Sequence, residues 1–93
     1  MRFIQLSKCE ETFNAIELGR QTSIYLTSEV MPSVQDVILF REIAFSVLFS
    51  TKNLCTYHTG RMCQMRITQV VNCSLKGRVK GLYFVSFTHH IQQ

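Results

Sequence analysis

Arg61 to Val71 alternates apolar and polar residues. Cys63, Met65, Ile67 and Val71 fall on one side, and Gln64, Arg66 and Thr68 on the other. A period of two over so many residues is a strand with one wet face. Leu82 to Thr88 has Tyr83, Val85 and Phe87 opposite Leu82, Phe84 and Ser86, so it is apolar on both sides, as central strands and barrel strands are. Helical spacing is clear in one segment, Ser7 to Gly19, where Cys9, Phe13 and Ile16 share a face. The chain is therefore expected to be a sheet with a single helix packed against it.

The rest of the chain fits that frame. Arg2 to Leu6 reads as a first strand. Ser7-Lys8-Cys9-Glu10 has the form of a capping box, with Ser7 as helix N-cap and Glu10 and Glu11 in the first turn. Gly19 suits the residue just past the helix end, with Arg20 beside the negative end of the dipole. Thr22 to Leu26 is expected as a strand and Thr27 to Gln35, with Pro32, as a loop. Val37 to Glu42 and Ile43 to Ser50 are read as two strands, with a helix as the alternative for the second, Lys52 to Gly60 as a loop, and Asn72 to Gly81 as a basic loop. That gives five or six strands. With 93 residues the chain makes one domain, placed at 1–88, with His89 and His90 opening a frayed tail over 89–93.

Charge narrows the partners. All six acids lie in the first 42 residues, against four basic residues there, for a net −2. From Ile43 onward there is no acid, and Lys52, Arg61, Arg66, Lys76, Arg78 and Lys80 give +6. A basic surface on a small domain suits a polyanion, in a cell usually nucleic acid; a solvated face that aids solubility is the alternative. No apolar stretch reaches the roughly 20 residues of a membrane span. Lys8, Glu10 and Glu11 fall where a secretory signal would be apolar. A cytoplasmic protein with no membrane partner is expected, and with it four reduced cysteines. Cys55-x2-His58-x4-Cys63 lacks the paired close spacing of a zinc site, so no metal and no other cofactor is expected. No nucleophile elbow, phosphate loop or dinucleotide glycine pattern occurs.

Four landmarks stand in order: Gly19-Arg20-Gln21-Thr22 at the helix end, Val34-Gln35-Asp36-Val37-Ile38, Tyr57-His58-Thr59-Gly60-Arg61, and Gly81-Leu82-Tyr83-Phe84-Val85. Over roughly Phe3 to Phe87 the chain resembles the ASCH superfamily of PUA-like β-barrels, and in particular its short bacterial and phage branch of unknown function. There the helix end reads G-[KR]-K-T, the second landmark V-G-D and the third Y-T-G-R. The resemblance implies an α+β fold, a small barrel of five to six strands with the N-terminal helix at its opening. It also implies a cleft between helix end and barrel wall that binds RNA or modified nucleobases. Some proteins resembling this fold hydrolyse acylated cytidine with the Lys and Thr of that motif. Here Gln21 stands at the Lys position, and Ser23-Ile24-Tyr25-Leu26 lacks the Glu-x-Arg common in the next strand. Gln21 hydrogen-bonds but cannot act as a base, and Thr22 without a base is a poor nucleophile.

The expected function is therefore a non-catalytic module for RNA or a nucleotide-like ligand. Arg20, Gln21 and Thr22 would line its cleft, and Tyr25 would be either a stacking platform or a packed strand aromatic. Arg61, Arg66 and the Lys76, Arg78 and Lys80 of the basic loop would meet phosphates. That loop could equally guard a neighbouring strand edge. Arg61 and Arg66 are five apart, so strict alternation puts them on opposite faces. Two alternatives stand beside this reading: an amidohydrolase acting on an acylated nucleoside, and a phage-type accessory protein that binds a host protein through an apolar edge at Ile43 to Phe49.

Overall fold

The computed structural model describes residues 1–48, 53–74 and 81–90. The elements run β1 (Phe3–Cys9), α1 (Glu10–Glu17), β2 (Ser23–Thr27), β3 (Val37–Leu48), β4 (Asn53–Asn72) and β5 (Leu82–His89). The five strands form one mixed sheet in the order β1-β3-β4-β5-β2. β1 runs parallel to β3, and the other neighbours are antiparallel. β1 and β2 are its ends, and among the described residues no ladder joins them. The fold is a mostly β domain with one short helix and an open, five-stranded sheet.

One face of the sheet builds the core. Ile38 and Phe40 of β3, Met65 and Ile67 of β4, Val85 and Phe87 of β5, and Ile24 and Leu26 of β2 are buried there. α1 lays Phe13 and Ile16, both fully buried, onto that face. Phe40 and Phe87 meet with ring centroids 5.4 Å apart. Burial of a side chain such as Phe13 contributes about 2–3 kcal/mol.

The helix end forms as its sequence predicts. Gly19 has φ +75°. The Arg20 amide donates to the Ala15 carbonyl at 2.8 Å and the Gly19 amide to Ile16 at 3.1 Å. These are the paired bonds that stop a helix on a left-handed glycine. The chain then turns directly into β2.

The helix start differs from the capping box. Ser7 pairs with Arg41 inside the β1–β3 ladder. The strand continues to Cys9, which is the N-cap and makes no side-chain capping bond. A seven-pair parallel ladder outweighs one capping bond, worth about 1 kcal/mol.

Two further boundaries move. Residues 37–48 form one strand, because a bulge between Arg41 and Ile43 absorbs the change of pattern at Glu42. Residues 53–60, read as loop, begin β4; their β-prone Thr56, Tyr57 and Thr59 pair or extend opposite β3, and Gly60 falls in the same bulge. A second bulge between Ile67 and Gln69 reverses the alternation, so Val70 turns inward and Val71 stays exposed. β5 runs one residue past Thr88, and the His90 amide bonds the Gln64 carbonyl at 3.0 Å, so His89 and His90 are tied to the sheet. Residues 91–93 lie outside the described residues.

The turn before β3 is built on a buried carboxylate. Asp36 accepts the Ser33 and Arg2 amides, each at 2.9 Å. Gln35 adopts φ +81°, and its amide bonds the Ile67 carbonyl at 2.9 Å.

Candidate functional site

The helix end, the start of β2 and the end of β5 enclose a cleft of about 80 Å³. Ile16, Met65 and Phe87 form its apolar wall, and Gly19, Gln21, Thr22, Thr88 and His89 its polar rim. An apolar wall with a polar rim suits the edge of a flat ring. Gln21 Nε2 donates to the Ser23 carbonyl at 3.2 Å, which fixes the amide at the rim. His89 Nε2 lies 3.0 Å from the Glu17 carbonyl. A carbonyl only accepts, so Nε2 carries the proton there. The cleft thus gathers Gln21 and Thr22 and adds His89, which the sequence suggested was tail. Arg20 is exposed beside it on the helix end.

Arg61 has a different role from the one its sequence suggests. Its side chain faces inward with Cys63 and Met65. Nη1 bonds Glu42 Oε2 at 2.7 Å, and Nη2 meets Glu17 Oε1 at 3.2 Å. The guanidinium lies 4.8 Å from the Phe13 ring centroid, a cation–π distance. Arg61 therefore ties α1 to β3 and β4, and two carboxylates offset its charge. Glu42, only 5% exposed, is the residue that sequence reasoning missed. The signal was a carboxylate on the same parity as Ile38 and Phe40.

Arg66 lies on the opposite face, exposed, paired across the sheet with Val37 and Thr88. Tyr25 is on that outer face too, 67% exposed. Its ring touches Phe84 at a centroid distance of 5.0 Å, tilted by 56°. Lys76, Arg78 and Lys80 lie outside the described residues. The structure thus brings Gln21 and Thr22 together at the cleft, and puts Arg66 and Tyr25 on the outer face.

Two larger hollows, of about 420 and 430 Å³, lie elsewhere. The second includes Glu10, Glu11 and Glu42, an arrangement that repels phosphate. Among the described residues no group of three or more His, Cys, Asp and Glu is placed to hold a metal ion. The exposed Cys9 thiol has its pKa lowered by the hydrogen bonds that Thr12 gives it. Burial pushes the Cys63 thiol up, and the Glu17 carboxylate adds to this. No helix among the described residues is long and apolar enough to cross a membrane. No protein-family model and no curated protein matches this sequence.

Proposed function

We propose that the chain is an ASCH-type, PUA-like module that binds RNA or a nucleotide-like ligand without catalysing a reaction. The observation that carries this reading is the separation of charge across the sheet. Glu42 is the sole carboxylate on a described strand, and it points inward to Arg61; Arg41 and Arg66 point outward. A face with cations and no carboxylate attracts a polyanion.

Three features support the family reading. The helix ends on Gly19 and enters β2 directly. Gln35 adopts a left-handed φ where the family motif has glycine. The apolar face of the sheet packs against Phe13 and Ile16 of α1. Gln21, at the Lys position of the hydrolase motif, supplies no base at the cleft, which favours binding over hydrolysis.

The test is a fluorescence-anisotropy titration of a short mixed-sequence RNA at two salt concentrations, with wild type beside a Lys76/Arg78/Lys80→Ala variant. The expected result is salt-sensitive binding, with a log–log slope of about −2 for three phosphate contacts on a single strand, weakened in the variant. A folded protein that binds no RNA at low salt overturns the reading. A second reading, a protein partner, rests on Phe45, Leu54 and Tyr57, all exposed on the β3–β4 ribbon. Salt-insensitive capture of a protein by these residues, with no RNA binding, would favour it.

A further inference from the structure

The outer face of the sheet is covered around Val37, which is fully buried, and open at Tyr25, Arg66 and Val71. By strand parity and register it carries Tyr25 of β2, Phe84 of β5, Arg66 of β4 and Arg41 of β3. No described strand residue puts a carboxylate there. Tyr25, Phe84 and Val71 form one cross-strand row, and Tyr25 and Val71 are exposed. Arg66 aligns with Thr88, four residues along β5 from Phe84, or about 13 Å at strand rise. Arg41 is four residues along β3 from Val37, the partner of Arg66, a similar step again.

Two buried polar atoms belong to this side. Arg41 Nε and His90 Nδ1 have no hydrogen-bond partner in the described structure. His90 follows Thr88 on the same parity, and its amide bonds Gln64, whose side chain shares that face. Buried nitrogens without partners are uncommon in native proteins; both are out of reach of solvent, so ligand contacts on this face fall to the exposed Arg66 and Tyr25.

We infer that this outer face is a platform for single-stranded nucleic acid. Bases stack on Tyr25 and Phe84, and the backbone runs diagonally over Arg66 to Arg41. The occupant follows from the chemistry of the face. The two arginines meet phosphates, and exposed Tyr25 with half-buried Phe84 meets bases, which single strands present and duplexes hide. An acidic protein would match the arginines but not the aromatic row. The inference rests on the nucleic-acid reading and moves its main contact surface from the helix-end cleft to the sheet.

The test uses the full chain and a fluorescently labelled mixed-sequence RNA of about ten nucleotides. Tyr25→Leu keeps an apolar side chain but removes the stacking ring, and Arg66→Gln removes one exposed charge. Each is expected to weaken binding about five- to tenfold, with Arg66→Gln also lowering the salt slope by about 0.7. Lys8→Ala, a cation lost from the other side, is expected to stay within about twofold. Circular dichroism and thermal melts confirm that each variant is folded. If wild type binds and both outer-face variants bind equally well, while Gln21→Ala or the loop variant loses affinity, the platform is overturned and the nucleic-acid reading stands. If duplex of the same length binds as tightly as the single strand, stacking is overturned. If wild type binds neither, both readings fall.

Discussion

Gln35 holds φ +81° at the turn into β3, a conformation that costs an L residue about 1–2 kcal/mol. Glycine there would lose that strain and give back part of it as unfolded-chain entropy. Gln35→Gly is therefore expected to stabilise the protein by about 0.5–1 kcal/mol in urea titrations. Gly81 is the opposite case. It has φ +74°, and a Cβ there would collide with the Ser28 carbonyl oxygen, so Gly81→Ala should destabilise by about 2 kcal/mol or more. Arg61→Ala would strand the buried Glu42 and is expected to cost about 2–3 kcal/mol in the same titrations.

The thiols make a pH prediction at the same scale. The Cys63 thiol is raised by burial, so as pH rises the unfolded chain loses this proton first. The contribution of Cys63 to stability is complete below about pH 8.5 and is lost as pH climbs through the range between unfolded and folded values. Wild type should lose more stability than Cys63→Ala between pH 8 and pH 10. Alkylation should label the exposed Cys9 at least about tenfold faster than Cys63.

At the scale of elements, the strand ladders decide what local pattern could not. Gly19 was legible because a helix C-terminus needs only its own neighbours. The Ser7 capping box was equally well formed locally, yet β1 keeps Ser7 because its partner Arg41 lies 34 residues away. No local pattern reports that pairing. Bulges hid two more features. The one at Glu42 merged two expected strands, and the one after Ile67 exchanged the faces of Val70 and Val71. The Glu42–Arg61 pair spans 19 positions and forms across the first bulge, so its partners could not be matched from spacing.

Beyond Ile43, β3 loses β1 as a neighbour, and β4 meets β5 only from Met65 onward. Residues 44–48 and 53–58 therefore form a two-stranded ribbon, and isolated ribbons are marginal in water. Amide exchange there is expected to be at least about 100-fold faster than over residues 65–67, which are paired in the core of the sheet. Equal protection along β4 would mean that the ribbon is covered in solution.

For the whole molecule, the lopsided charge of the sequence becomes a lopsided charge of the sheet, but not through the same residues. Arg61, in the basic half, is neutralised by Glu17 and Glu42. Arg41, from the acidic half, joins Arg66 on the outer face because β3 and β4 are neighbours. The count of charges along the chain was legible; which of them share a surface required the register. The helix end lines a cleft with Gln21 and Thr22, and His89 joins them from β5.

The central claim is that the outer sheet face meets nucleic acid. The most direct measurement is an NMR chemical-shift titration of the labelled chain with a short single-stranded RNA. The account predicts that amides of Tyr25, Arg41, Arg66 and Phe84 move together and saturate at one affinity, while Phe13, Ile38 and Met65 stay put. Shifts confined to Gly19, Gln21, Thr22 and His89, or no shifts at low salt, would contradict it.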